Sequence, residues 1–320
     1  MALHQLPPIA TTILSAEERA ARRIQVVEAI GNTPMFELRA ISREVAPVRI
    51  CAKAEWYNPG GSVKDRAALN MILDGEQRGA LTKDKILIDA TSGNTGIAYA
   101  MICAALGYRT RLCVPKNIGS MRQRILVAYG AELVLTDPTK STDGAIQEAI
   151  RLYEESPDTY FYPDQYSNDA NWLAHYHTTG PEILRQTGGE VTHFVAGLGT
   201  TGTFRGTGTR LKEERNMIKL ISFQPDSPMN GLEGLKHLPT AIVPKIYRDD
   251  LADENFWVKT EEAQAMVKRL AREEGLLVGP SAGAAVACAL LVARDLRDGC
   301  VVTILPDNAF KYLDFRFWDE

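Results

Sequence analysis

Lys85-Ile86-Leu87-Ile88-Asp89-Ala90-Thr91-Ser92-Gly93-Asn94-Thr95-Gly96 passes from an apolar run into six consecutive small or polar residues, and the residues after it read as a helix to 106. The apolar run reads as a strand and the polar run as the turn that starts the helix. The same rhythm recurs on both sides. A strand at 111–114 precedes a helix at about 120–129 closed by Gly130, and a strand follows at 132–136. Further on, His193-Phe194-Val195-Ala196 leads through a glycine-rich turn into a helix to about 214, followed by a strand at 218–223. Helices at about 261–274 and 282–297 precede a final strand at 301–305. Strands alternating with helices imply parallel sheets covered on both faces, joined by right-handed crossovers. The fold class is α/β, and two such blocks predict two domains. No repeat or low-complexity linker marks their boundary, which falls softly near 140–165.

Composition narrows the function classes. The 320 residues are 45% hydrophobic and 24% charged with a formal net charge of −4, which leaves no basic patch to hold a phosphodiester backbone. Small molecules, not nucleic acid, are the expected partners. No apolar run reaches the ~18 residues of a membrane span. The N-terminus lacks a basic, apolar and cleavable leader, so a cytoplasmic protein is expected. Cys51, Cys103, Cys113, Cys288 and Cys300 lie in apolar surroundings without a Cys-x-x-Cys pair, and read as reduced core residues. The histidines show no ligand spacing, and no metal is assigned. His175 and His177 read as packing residues or as supports behind the site.

In parallel α/β domains ligands gather where strands end and helices begin, and four turns carry chemistry. Asn58-Pro59-Gly60-Gly61-Ser62-Val63-Lys64-Asp65-Arg66 reads as a loop-to-helix junction in which Ser62 and Asp65 form the cap. Lys64 then lies in the first turn, where the helix dipole and any burial lower the amine's proton affinity and favour attack on a carbonyl. A solvated first-turn lysine is the bland alternative. Thr91 to Gly96 is a nest of hydroxyls, an amide and backbone N–H groups suited to a carboxylate or phosphate, although its residues are also ordinary caps. Gly197-Leu198-Gly199-Thr200-Thr201-Gly202-Thr203 fits the loose G-x-G-x-x-G pattern, and Asp226 follows the next strand as a ribose-binding acid would. That leaves an NAD-dependent dehydrogenase in play, beside a terminal-phosphate cradle and a plain tight turn. In Gly279-Pro280-Ser281-Ala282-Gly283-Ala284, Ser281 is most simply a helix cap.

Together the four turns resemble one family. The run Ile30-Gly31-Asn32-Thr33-Pro34, the four turns, Gln165, Thr178-Thr179-Gly180-Pro181-Glu182 and Leu305-Pro306-Asp307 are similar in order and spacing to pyridoxal-phosphate enzymes of the tryptophan-synthase-β fold type. Within that type the chain looks like a cysteine synthase, an O-acetylserine or O-phosphoserine sulfhydrylase. The resemblance implies two three-layer α/β domains, a smaller one at 46–160 and a larger one formed by 1–45 plus 161–320, with pyridoxal 5'-phosphate in the cleft between them. It implies that Lys64 is the Schiff-base lysine and that Asn94 bonds the phenolic oxygen of the cofactor. Gly199, Thr200, Thr201, Gly202 and Thr203 would hold the phosphate, and Ser281 would face the pyridine nitrogen. Thr91, Ser92, Thr95 and Gln165 would hold the substrate carboxylate. The implied reaction is β-replacement on an activated serine through an aminoacrylate, in a homodimer that can bind a serine acetyltransferase or a sulfur-carrier protein. A cystathionine β-synthase-like enzyme shares the same turns and stays open.

Two departures matter. The family's phosphate loop usually reads GTGGT, whereas here it is Gly199-Thr200-Thr201-Gly202-Thr203, which keeps the backbone donors. The segment from Pro228 to Pro239 is atypical and resembles the branch that includes B-type enzymes. Lys236 within it is a candidate for binding a departing phosphate, or is a solvated loop lysine. Ser15-Ala16-Glu17-Glu18 is expected to cap a helix in an N-terminal arm, and the aromatic run from Phe310 to Trp318 is expected to pack on the body or a second subunit, or to cover the site as a lid.

Overall fold

Ten strands sort into two sheets in the computed structural model, which describes residues 25–91 and 93–319. The capping signal at 15–18 and Ser92 lie outside the described residues. The larger sheet runs β1 (Met35–Glu37), β2 (Arg49–Ala54), β10 (Cys300–Leu305), β7 (His193–Gly197), β8 (Lys219–Pro225) and β9 (Glu254–Val258). All its neighbours are parallel except β1, which pairs antiparallel with β2. The smaller sheet is wholly parallel, in the order β5 (Glu132–Thr136), β4 (Arg109–Pro115), β3 (Ile86–Ala90) and β6 (Tyr160–Phe161).

Helices cover both faces of each sheet. In chain order they are α1 (Gln25–Glu28), α2 (Arg39–Ser42), α3 (Lys64–Gln77), α4 (Asn94–Leu106), α5 (Ser120–Ala128) and α6 (Ser141–Glu155), then α7 (Asp169–His177), α8 (Thr179–Gln186), α9 (Gly202–Glu214), α10 (Thr260–Glu273) and α11 (Pro280–Arg294). The period of two along each strand divides the core. In β10, Val301 and Leu305 join the cluster under α10 and α11, while Val302 and Ile304 join the opposite cluster with Phe194 and Phe204. In β3, Leu87 packs with α3 and α4, while Ile86, Ile88 and Ala90 face α6. The expected three-layer α/β architecture is therefore present in both halves. All five cysteines are buried and unpaired by disulfides. Among the described residues no helix is long and apolar enough to cross a membrane.

Sheet membership shifts the expected boundary at residue 46. β2 belongs to the larger sheet because every residue from Ile50 to Ala54 is buried between β1 and β10, as a central strand requires. Ala67, Ala68, Met71 and Ile72 of α3 pack instead with the smaller sheet. Residues 55–63 are thus the crossing from one unit to the other. Three of the four chemical turns, those after β2, β3 and β7, line one cleft through Lys64, Thr91, Asn94, Thr95 and Thr200, whereas no residue of the turn at 279–284 lines it.

Candidate active site

Lys64 stands at the end of that crossing. Asn58 pins the crossing: its Nδ2 donates to Glu55 O at 2.8 Å and to Ser62 O at 3.1 Å, while its Oδ1 accepts from the Gly31 N–H at 2.8 Å. Gly61 turns the chain at φ +80°, a conformation that glycine adopts without strain. The cap differs from the expected one. Val63 is the N-cap residue, Ser62 Oγ accepts from the Lys64 N–H at 3.2 Å, and Asp65 Oδ2 accepts from the Gly60 N–H at 2.5 Å. The Val63 N–H donates to Pro306 O at 2.9 Å, which ties the helix start to the tip of β10. Burial pushes the Lys64 amine below its ordinary range, and the Asp307 carboxylate opposes that shift. The amine is therefore poised to act as a nucleophile and proton acceptor.

Facing it is the turn after β3. Thr91 Oγ1 accepts from the N–H groups of Gly93 at 3.1 Å and Gly96 at 3.0 Å, which fixes the turn's shape. Thr95 Oγ1 donates to Gln165 Oε1 at 2.9 Å, and Gln165 Nε2 donates to Ala90 O at 2.9 Å. Lys64, Thr91, Asn94, Thr95, Gln165 and Thr200 line one cleft of about 510 Å³, its open mouth included. Six residues expected at the site from four separate parts of the chain therefore meet.

The turn after β7 forms the anion end. A Cβ on Gly199 would lie 2.0 Å from the Gly234 carbonyl oxygen, and one on Gly202 would lie 2.0 Å from Asn171 Oδ1, so both positions exclude side chains. Thr201 takes φ +69°, and its buried Oγ1 has no hydrogen-bond partner. An orphaned hydroxyl beside the N-terminus of a 13-residue helix suits a bound anion. Behind it, Thr203 Oγ1 lies 3.2 Å from His175 Nε2, and His175 Nδ1 lies 2.9 Å from Thr179 Oγ1. Burial, aided by the Arg66 charge, pushes His175 down to about 3, so this support is neutral. Asp226, the acid a dehydrogenase would need, is exposed and is not on the cleft wall.

A third wall went unmarked in the sequence reading. Arg122, Tyr166, Glu233, Gly234 and Tyr312 complete the cleft. The Arg122 guanidinium pairs with Glu233 and lies 5.0 Å from the centre of the Tyr312 ring. Lys236 does not line this cleft. It lines an adjoining vestibule that shares Arg122, Tyr166, Glu233 and Gly234 with it, and its Nζ lies 3.8 Å from Asp143 Oδ1 and 4.8 Å from the centre of the Tyr166 ring. Burial pushes the Lys236 amine down, opposed by Asp143. Ser281 is buried in the first turn of α11, but Gly279 is the N-cap residue and makes no side-chain cap bond. The plain capping reading of Ser281 is thereby corrected.

A family model described as pyridoxal-phosphate dependent enzyme matches residues 26–307. The chain belongs to that family. As a pyridoxal-phosphate-dependent enzyme it uses pyridoxal 5'-phosphate, and the dehydrogenase alternative falls away. It is 46% identical over 304 residues to a cysteine synthase of Aquifex aeolicus, covering 93% of each chain. It is 40% identical over 296 residues to cysteine synthase B of Pseudomonas aeruginosa, covering 92% of this chain and 97% of that one. Among solved structures, a cysteine synthase of Entamoeba histolytica superposes with a TM-score of 0.88 at 32% identity, covering 99% of this chain and 94% of that one.

The residues of this pyridoxal-phosphate-dependent enzyme fit the cofactor. The partnerless Thr201 hydroxyl, the bare Gly199 and Gly202 and the lowered Lys64 amine provide an anion cradle and a carbonyl-reactive amine. Of the residues the sequence reading missed, Glu233 and Gly234 lie in the atypical 228–239 segment and Tyr312 in the aromatic tail. Arg122 had no local signal, because an arginine on a short helix looks like any solvated one.

Proposed function

We propose that this enzyme forms cysteine by β-replacement, exchanging the leaving group on Cβ of an activated serine for a sulfur nucleophile. The observation that carries the reading is the lowered Lys64 amine in one cleft with the braced Thr91–Thr95–Gln165 wall. Lys64 anchors the cofactor covalently and, once released, takes the proton from Cα of the bound amino acid. Thr91, Thr95 and Gln165, with Ser92, hold the substrate carboxylate. Gly199 to Thr203 hold the cofactor phosphate by backbone N–H groups and hydroxyls. Asn94 meets the phenolic oxygen, and Ser281 meets the ring nitrogen as a neutral partner. Bound pyridoxal phosphate supplies the electron sink for the charge that develops at Cα. A hydroxyl, unlike a carboxylate, does not hold the ring nitrogen protonated, which favours elimination over transamination.

Lys236, beside the cleft and not within it, serves the entry path, and its charge favours an O-phosphoserine substrate over O-acetylserine. A cytoplasmic homodimer that docks a serine acetyltransferase or a sulfur-carrier protein belongs to the same proposal. The test adds serine, O-acetylserine and O-phosphoserine separately to the holoenzyme, records the cofactor's visible spectrum, then supplies sulfide and quantifies cysteine. An activated serine that changes the spectrum and yields cysteine is the expected result; no response to any of the three overturns the reading. If Lys236→Ala leaves the preference between the two activated serines unchanged, the role of Lys236 fails.

A further inference from the structure

Asn94 is gripped from two sides by the C-terminal segment. Lys311 Nζ donates to Asn94 Oδ1 at 2.6 Å, and Asn94 Nδ2 donates to Asp307 Oδ2 at 2.8 Å. The same carboxylate oxygen accepts the Tyr312 hydroxyl at 2.6 Å and lies 3.3 Å from Lys311 Nζ. The grip is sheltered from water, since the Lys311 side chain is 8% exposed and that of Asp307 is 0% exposed.

An amide has one accepting end and one donating end. A cation at the oxygen and a carboxylate at the nitrogen are satisfied together in only one of its two orientations. The second N–H on Nδ2 is then left for the cleft, which Asn94 lines. A cation on the carbonyl also draws electron density from the amide, which strengthens that remaining N–H as a donor. An alanine-like side chain at 311 would leave the carbonyl without its cation and allow the amide to turn.

We propose that Lys311 is a positioning residue for the cofactor, acting through Asn94: it fixes the amide so that an N–H meets the anionic phenolic oxygen of the bound ring. This rests on Asn94 meeting that oxygen, and it adds a role for a residue of the C-terminal segment that touches no reacting atom. The tail that closes the fold thereby sets the electronics of the site.

The test compares wild-type, Lys311→Met, Lys311→Arg and Asn94→Ala holoenzymes. The readouts are the wavelength of the cofactor's visible band, the dissociation constant of pyridoxal phosphate for the apo-protein, and the thermal midpoint of the apo-protein. Lys311→Met is expected to move the band in the same direction as Asn94→Ala and to weaken cofactor binding about tenfold, the scale of one charge-assisted hydrogen bond. Lys311→Arg is expected to restore both. A Lys311→Met band at the wild-type position while Asn94→Ala is shifted overturns the inference and leaves the role of Asn94 standing. Unshifted bands in both variants overturn the role of Asn94 and the inference with it. A lower thermal midpoint in Lys311→Met with an unmoved band also overturns it, since it marks a purely structural tie.

Discussion

Arg122 on the first turn of α5 forms an ion pair with Glu233 on the segment after β8, so a residue of the smaller unit grips one of the larger across the mouth of the cleft. The two side chains are 6% and 36% exposed, and burial raises the Glu233 carboxyl above its usual range against the pull of Arg122. The pair separates the inner cleft from the vestibule that holds Lys236. Excluding water there protects an electrophilic intermediate from side reactions. Arg122→Ala is expected to lower kcat/KM about tenfold, the effect of losing one partly buried charge pair, and to raise the share of substrate lost to pyruvate. Product analysis by chromatography checks it.

Gly199 allows no side chain, because a Cβ there would lie 2.0 Å from the Gly234 carbonyl oxygen. Gly199→Ala must push the 228–239 segment away from the turn after β7. Its expected outcome is a loss of cofactor affinity larger than the loss of thermal stability. Titrating apo-protein with pyridoxal phosphate measures the first, and calorimetry the second.

Arg66 is the centre of a buried charge network. Its Nε lies 2.7 Å from Glu55 Oε2 and its NH1 2.8 Å from Glu182 Oε1, while Lys53 Nζ lies 2.7 Å from Glu182 Oε2. Removing the guanidinium takes the ion-pair partner from Glu55, leaving it only the Lys53 charge that Glu182 already pairs. Arg66→Met is expected to cost about 3–5 kcal/mol, the usual consequence of an uncompensated buried charge. Urea unfolding of the apo-protein checks the value.

His175 gives the acid limb of stability. Its folded-state value is pushed down to about 3 from an ordinary 6.5, so below about 6.5 the unfolded chain binds a proton that the folded chain refuses. His175 thus contributes a loss of stability as pH falls through this window, by up to about 1.4 kcal/mol per pH unit for one proton, opposed by Asp65 and Asp89, whose carboxyls burial raises to about 7. Glu182, held down to about 2 chiefly by Arg66 against the burial that raises it, adds a loss of the same sign as pH falls below 4.5. Replacing His175 with Asn is expected to remove this loss, so that stability at pH 5 relative to pH 7 is higher than in the wild type, above the Glu182 window. Denaturation curves at pH 7 and pH 5 measure it.

The fold was legible where local pattern and tertiary environment agree. β3 and β10 are short apolar runs that are buried on both faces, and the helices after β3 and β7 start at glycine and hydroxyl turns, so period and punctuation sufficed. The boundary implied by the resemblance left β2 in the smaller unit, whereas it pairs with β1 and β10 in the larger sheet, because which sheet a strand joins is set by long-range pairing that its own residues do not encode. At the site, residues adjacent to glycine turns were readable, because backbone approach demands glycine in the sequence itself. Arg122 and Lys311 were not, since their value comes from Glu233, Tyr312 and Asn94, which lie 111, 190 and 217 positions away from them respectively. Lys236 was legible as a cation near the site but not as a residue of the vestibule, because its distance from Lys64 depends on how the 228–239 segment folds back onto the turn after β7.

The central claim is that the Lys64 amine carries the cofactor. Reducing the holoenzyme with borohydride and mapping its tryptic peptides by mass spectrometry tests this most directly. The account predicts that the visible band is lost and that a single phosphopyridoxyl adduct appears on Lys64, and that both band and adduct are absent from Lys64→Ala. An adduct on another lysine, or an unmodified Lys64 in a protein whose visible band has bleached, would contradict it.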